Sequence, residues 1–208
     1  MITNLILTLY FYESFLLSIV VSFIMAVFIW PFSFLRPVLH KTLVLCGKFI
    51  LFVSGSRLYL QNPRTYDARQ TYLFVSNHQS LFDILVLFTL LDDIPFKWII
   101  KKSLFYTPLF GFTLWAVDYI NLDRENRYKA FRAIQKAISY IKKGVSILIF
   151  PEGTRSLDDT VNEFKSGSIV IAYHTGAKVV PIVLKNTLFI QKKKSAFINP
   201  LPIKVRFL

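Results

Sequence analysis

The sequence predicts an α/β protein: a mixed, partly parallel sheet flanked by helices, preceded by an N-terminal membrane-associated helical pair. Three observations lead there. From about Gln61 onward, short apolar runs alternate with helical patterns. The first 35 residues carry a single charge, Glu13, and all 25 Lys and Arg residues lie at or beyond Arg36. Strands alternating with helices argue for parallel pairing and for functional groups at strand ends.

The helical pair accounts for residues 1–60. From Phe15 to Leu35 the chain is apolar without interruption by charge, long enough to cross or deeply enter a hydrocarbon core of about 30 Å. A cleavable signal peptide fits poorly, because the basic start and small-residue cleavage site are missing. If the segment spans, the basic residues that follow place the remainder in the cytoplasm, at the inner membrane of the cell. Val38 to Ser54 forms a second helix, with Lys41 and Lys48 seven apart on one narrow face. Such a helix lies in the interface with its lysines toward phosphates, or packs on the first segment as a hairpin.

Residues 61–208 form the folded domain. Strands are expected at Thr71–Val75, Phe96–Ile100, Asp118–Asn121, Val145–Phe150, Val179–Val183 and Lys204–Phe207. Helices are expected at Leu81–Leu91, Leu104–Thr113, Asn126–Lys143 and Lys165–Thr175. The third helix places Ala130, Phe131, Ile134, Ala137, Ile138 and Ile141 on one face and stops at Lys142-Lys143-Gly144.

Composition narrows the function. With 208 residues the chain has room for one core plus an appended segment, and 54% apolar content excludes disorder. A net charge of +13 favours anionic partners: nucleic acid, anionic membrane lipids or phosphorylated substrates. Apolar richness tips that choice toward membrane lipid, and the basic residues make no aromatic-interleaved motif for nucleic acid. Cys46 is the only cysteine, so no internal disulfide is possible. His40, His78 and His174 are scattered without metal-ligand spacing, so no metal and no cofactor is expected.

Five groups of residues carry potential chemistry. His78 and Asp83, in Asn77-His78-Gln79-Ser80-Leu81-Phe82-Asp83, follow an apolar strand. A histidine titrates near neutral pH, and a carboxylate on its far ring nitrogen fixes the tautomer and supports the imidazolium. Phe150-Pro151-Glu152-Gly153-Thr154-Arg155-Ser156 follows another strand. Arg155 has the fork geometry for a phosphate, whereas Glu152 accepts hydrogen bonds from hydroxyls or orients Arg155. A purely structural Glu–Arg turn is the alternative. Arg124, after Asn121-Leu122-Asp123, is a further phosphate contact or part of a solvated cluster with Glu125 and Arg127. Lys101 is an anion contact or a surface lysine. Pro181, within Val179-Val180-Pro181-Ile182, suggests an edge strand or a bulge lining a cleft.

In this order the blocks closely resemble the glycerolipid acyltransferase family, and within it the bacterial 1-acyl-glycerol-3-phosphate acyltransferases. Asn77 to Asp83, Gly111 through Asp123-Arg124, Phe150 to Ser156 and Val180-Pro181-Ile182 match its four blocks. Phe164-Lys165-Ser166-Gly167 matches a further run, and the likeness covers about residues 70 to 185. One departure is Asn121, where the family usually carries a large apolar residue. The resemblance implies acyl transfer from acyl-CoA or acyl-acyl carrier protein to a lysophospholipid, lysophosphatidate first. A lyso-ornithine lipid, another lysophospholipid or glycerol 3-phosphate are alternative acceptors. A silent module that binds anionic lipid is the alternative from another class. His78 would act as base and Asp83 as its support; Lys101, Arg124 and Arg155 would hold phosphate; Glu152, Gly153 and Thr154 would shape the glycerol site; Pro181 would line the substrate cleft.

Overall fold

The computed structural model describes residues 2–156, 158, 160–191 and 195–208. It begins with two helices, α1 (Ile2–Ile29) and α2 (Arg36–Val53). The apolar run expected from Phe15 to Leu35 is thus shifted: the helix starts earlier and stops at Ile29. Pro31 explains the stop, since proline has no N–H for the ladder and keeps the residue before it out of the α region. A 3-10 turn at Ser33–Leu35 reverses the chain, and Pro37 sits in the first turn of α2, where its missing donor costs nothing. The helices pack as a hairpin, with Ser22 Oγ 3.7 Å from Cys46 Sγ. Lys48 faces a protein carboxylate, Asp92, rather than a phosphate layer.

The buried positions of α1 are Thr8, Phe11, Ser14, Ser18, Ser22, Ala26 and Ile29, recurring every three or four residues on one face. Small and hydroxylated side chains therefore face the protein, while Leu16 and Phe28, 61% and 71% exposed, face outward. By length and composition α1 is apolar enough to cross a membrane.

The remaining elements are β1 (Leu58–Leu60), β2 (Tyr72–Ser76), α3 (Phe82–Leu90), β3 (Phe96–Lys101), α4 (Phe110–Ala116), β4 (Ile120–Leu122), α5 (Arg127–Lys142), β5 (Ser146–Ile149), α6 (Gly167–Thr175), β6 (Lys178–Lys185), α7 (Thr187–Ile190) and β7 (Ile203–Phe207). Among the described residues the strands form one sheet in the order β1-β7-β6-β2-β5-β3-β4. From β6 to β4 all neighbours are parallel; β7 runs antiparallel to β6 and parallel to β1. Aromatic residues of β2 and β3 pack beneath α1 to α4, with Phe74, Phe82, Phe96 and Trp98 in one cluster. The opposite face packs Leu73, Ile99, Ile147 and Ile149 against Ala137 and Ile138 of α5 and Ile171 of α6.

Four local expectations are corrected. β1 was not foreseen; it spans three residues and pairs only with β7. The helix expected over Leu104–Thr113 divides into a 3-10 turn, Lys102–Tyr106, and α4. Pro108 and Leu109, the latter at φ 60°, break it, and Gly111 is packed so closely that a Cβ would lie 2.2 Å from the Phe105 carbonyl oxygen. Phe131 leaves the buried face of α5 and is 58% exposed; Ala133 takes the inner position. Pro181 lies on no edge, because β6 runs between β2 and β7. Its carbonyl accepts the Leu208 N–H at 3.0 Å one step past the last ladder pair, Ile182 and Phe207, so its missing donor falls where the ladder ends.

Asp118 fastens the hairpin to the domain. It adopts φ 62° and its carboxylate accepts from Arg36 at 3.1 Å, Lys136 at 2.6 Å and the Tyr140 hydroxyl. Burial acts to raise this carboxyl, but the hydrogen bonds from Lys136 and Tyr140 outweigh it and hold it below the ordinary carboxylate range. Asp118→Asn keeps a residue that tolerates positive φ and removes the charge together with one of the two acceptor oxygens. It should lower the midpoint of thermal unfolding by about 2–4 °C, the equivalent of about 1 kcal/mol in a chain of this size. A depressed carboxyl contributes stability above its unfolded pKa and loses it on acidification, so the deficit should shrink as pH falls through the carboxylate range. Unfolding midpoints measured at several pH values check both statements.

Candidate active site

Parallel strands deliver their carboxyl ends to one edge of the sheet, where side chains from several turns converge. β2 leads there to Asn77 and His78, β3 to Lys101, β4 to Arg124, and β5 to the turn that begins at Phe150. Asn77 pins the first turn to β6, its Nδ2 donating to the Leu184 carbonyl at 2.9 Å and its Oδ1 accepting the Leu184 N–H at 2.8 Å.

His78 Nδ1 lies 2.9 Å from Asp83 Oδ2. The same oxygen accepts the N–H groups of Gln79 at 2.6 Å and Ser80 at 2.8 Å. Asp83 stands in the first turn of α3, where a carboxylate complements the helix dipole, and is 0% exposed. A buried carboxylate with that set of donors is an acceptor, so His78 carries its proton on Nδ1 and leaves Nε2 free. The ring stacks on Phe150, with centroids 4.0 Å apart and planes 8° from parallel, and Phe150 rests against Trp98 at 5.6 Å. Carboxylate below and aromatic beside, the imidazole has one orientation.

His78 opens on a cavity of about 360 Å³. Lys101, Arg124, Gly153 and Arg155 line it beside the histidine, supplying three cationic groups. The rest of the wall is apolar: Leu81, Leu85, Phe88, Trp98 and Leu114 from the domain, and Phe15, Ile19, Leu43 and Ile50 from the helical hairpin. Arg124 donates to the Gly153 carbonyl. Gly153 is at φ 75°, a conformation that favours glycine, and a Cβ there would lie 2.3 Å from Arg124 Nη1, so a larger residue would also push the guanidinium from its seat. Lys102 and Asp123 pair at 2.9 Å and tie the end of β3 to that of β4.

The structure thus brings together His78, Asp83, Lys101, Arg124, Gly153 and Arg155. Three sequence candidates stand elsewhere. Glu152 is only 2% exposed and its carboxylate is engaged by protein donors: the His78 N–H at 2.8 Å, the Ser156 hydroxyl at 2.5 Å, and the Asn162 N–H and Nδ2 at 2.9 and 3.0 Å. It neither orients Arg155 nor faces the cavity. Thr154 is exposed outside the cavity lining, and Pro181 lies on the α5 and α6 side of the sheet, in register with Val75. Sequence reasoning missed Asn162, which belongs to no block, and the hairpin's contribution to the cavity wall. Nothing in the chain flags Asn162, whereas the apolar density of α1 and α2 could have suggested a shared wall.

Comparison with known proteins agrees with this geometry. Residues 57–185 match the family model described as Acyltransferase. A 1-acyl-sn-glycerol-3-phosphate acyltransferase of Cocos nucifera is 32% identical over 195 residues, 91% of this chain and 61% of that protein. The enzyme of the same name from Salmonella typhimurium is 31% identical over 134 residues, 64% of this chain and 54% of its own. The crystal structure of the 1-acyl-sn-glycerophosphate acyltransferase PlsC from Thermotoga maritima superposes with a TM-score of 0.80 at 29% identity, covering 100% of this chain and 84% of that one. The chain spans 61% and 54% of the length of the two curated relatives.

The seat of Arg124 on Gly153 can be tested without substrate. Gly153→Ala combines an unfavourable φ with a clash and should cost about 2–3 kcal/mol in denaturant unfolding. Arg124→Ala should relieve the clash, leaving the double variant at least about 1 kcal/mol more stable than the sum of the two single changes. Additive losses would show that the guanidinium does not occupy this seat.

Proposed function

The chain belongs to the acyltransferase family, and we propose that it moves a fatty acyl group from a thioester donor to the free hydroxyl of 1-acyl-glycerol 3-phosphate, making phosphatidate. The observation that carries this reading is a fixed histidine base in a largely apolar cavity that three cationic side chains also line. A phosphate with a hydroxyl nearby suits the cationic groups, and an acyl chain suits the apolar wall.

The step needs no covalent enzyme intermediate, because the acceptor hydroxyl is itself the nucleophile. Nε2 of His78 takes the hydroxyl proton as that oxygen attacks the thioester carbonyl. The imidazolium that forms is stabilised by Asp83 through Nδ1. As the carbonyl re-forms, the C–S bond breaks, the departing thiolate takes the proton from Nε2, and ester and thiol result. Lys101, Arg124 and Arg155 hold the acceptor's phosphate, so positioning supplies much of the acceleration. Acyl-CoA and acyl-acyl carrier protein both present such a thioester and are the donors proposed.

The membrane reading rests on the inverted α1. A helix of a soluble protein turns its large apolar side chains inward; α1 buries Ser14, Ser18 and Ser22 and exposes Leu16 and Phe28. Small residues at the helix contact and apolar residues outside are the arrangement suited to lipid. α1 also touches the domain along its length, Phe11 on Phe82 at 5.3 Å and Trp30 on Phe112 at 5.9 Å. A helix fastened in this way cannot cross a bilayer independently of the domain, so the hairpin enters one leaflet and anionic headgroups meet the basic surface. The leaflet proposed is the cytoplasmic one of the inner membrane, whose anionic lipids suit a surface that carries every basic residue at or beyond Arg36.

The test is turnover of labelled acyl-CoA and acyl-acyl carrier protein by the purified chain in mixed micelles, against lysophosphatidate, lyso-ornithine lipid, other lysophospholipids and glycerol 3-phosphate. Lysophosphatidate should be the preferred acceptor. His78→Ala should lower kcat about a thousandfold with the chain still folded and still membrane-bound. Arg124→Ala and Arg155→Ala should chiefly raise KM for the acceptor, by about tenfold each. Turnover persisting without His78 would overturn the base assignment, and equal use of acceptors lacking phosphate would overturn the phosphate site.

A further inference from the structure

We infer that Glu152, together with Ser156 and Asn162, forms a bracket that positions His78, and that Glu152 is not a ligand for the acceptor's glycerol; this rests on the acyl-transfer reading. The turn after β5 holds the His78 peptide from both sides. Glu152 Oε1 accepts the His78 N–H at 2.8 Å, and the Ser156 N–H donates to the His78 carbonyl at 2.8 Å. The second carboxylate oxygen, Oε2, accepts the Ser156 hydroxyl at 2.5 Å, the Asn162 N–H at 2.9 Å and Asn162 Nδ2 at 3.0 Å. Asn162 Nδ2 also lies 2.9 Å from Ser156 Oγ, which closes the ring of contacts.

The chemistry of a buried carboxylate explains why so many donors gather. Removing the anion from water is costly, and charge-assisted hydrogen bonds offset the loss only if they are nearly complete. A substrate hydroxyl would have to displace one of these donors and leave it unsatisfied in the interior. Glu152 is therefore spent on the protein, and its effect reaches the reaction only through His78.

Asp83 and Phe150 fix the imidazole ring, while Glu152 and Ser156 fix the peptide that carries it. Arg155 lies in sequence between the two bracket residues and lines the cavity with His78. Asn162 is the exposed member of the bracket.

The experiment compares Glu152→Ala, Glu152→Gln and Asn162→Ala in the full chain, in micelles with a thioester donor and lysophosphatidate. A base displaced by about 1 Å loses on the order of a hundredfold, so Glu152→Ala should lower kcat by about that factor with acceptor KM within about twofold of the parent. Glu152→Gln keeps an oxygen for the His78 N–H and should recover at least about tenfold of the loss. Asn162→Ala should lower kcat about fivefold at unchanged KM, and as a change at an exposed side chain it also serves if Glu152→Ala fails to fold. A rise in acceptor KM on changing Glu152, or wild-type kcat in Asn162→Ala, overturns the bracket. Hydrogen exchange at the His78 amide gives a readout that needs no turnover: slow in the parent and in Glu152→Gln, fast in Glu152→Ala. Fast exchange in the parent overturns the bracket, whereas a protected amide in a chain without acyl transfer overturns only the acyl-transfer reading.

Discussion

Three donors converge on Oδ2 of Asp83: the imidazole of His78 at 2.9 Å and the amides of Gln79 and Ser80 at 2.6 and 2.8 Å. The two amides belong to the turn that joins β2 to α3, so the carboxylate shapes the loop and orients the ring at once. This is possible because Asp83 stands in the first turn of a helix that begins just beyond the strand. The positive end of the helix and the free amides before it are what a buried anion requires. Replacing the carboxylate would leave those amides without an acceptor and free the imidazole to exchange tautomers. The cationic groups that share the cavity would then face a base with no defined direction.

The two buried carboxylates of this edge and its cations do different work. Asp83 and Glu152 lie inside, each accepting from several protein donors, and act on the ring and the peptide of the same residue. Lys101, Arg124 and Arg155 line the cavity, where an anionic group can reach them. On the proposed reading, keeping the carboxylates away from the cations that line the cavity would avoid repelling a phosphorylated acceptor. Arg124, held by a neutral carbonyl on Gly153, would exchange that contact for a phosphate at lower cost than a partner carboxylate would allow.

Much of this edge was legible in the chain because strand ends and residue types determine it. A histidine, a carboxylate and arginines placed just beyond apolar strands can only gather at the carboxyl edge of a parallel sheet, and His78, Asp83, Arg124 and Arg155 do so. Direction within a turn was not legible. Glu152 and Arg155 are three residues apart, yet one points inward to a peptide and the other to the cavity. Glu152 is drawn inward by the His78 amide, Ser156 and Asn162, the last returning from a segment with no periodic pattern. Pro181 misled for a related reason. Proline usually marks an edge, but one ladder ending beside it is enough to accommodate it in the middle of a sheet. Phe131 followed helical periodicity and still faces outward, since Ala133 and Ala137 let α5 approach the sheet more closely than a phenylalanine would.

The hairpin and the catalytic edge are coupled more closely than an anchor and a domain need be. Phe15, Ile19, Leu43 and Ile50 belong to α1 and α2, yet they form part of the same wall as His78 and Trp98. On the proposed reading, an acyl chain bound there would touch the helices proposed to enter the leaflet. The cavity joins the cationic groups at the ends of β3, β4 and β5 to an apolar wall that the hairpin completes. A lysolipid acceptor would then keep its chain among apolar groups while its phosphate met Lys101, Arg124 and Arg155. The inverted pattern of α1 follows from the same constraint. Its small, hydroxylated face lets α2 approach closely enough to complete the cavity wall, and its large apolar face is left for the lipid.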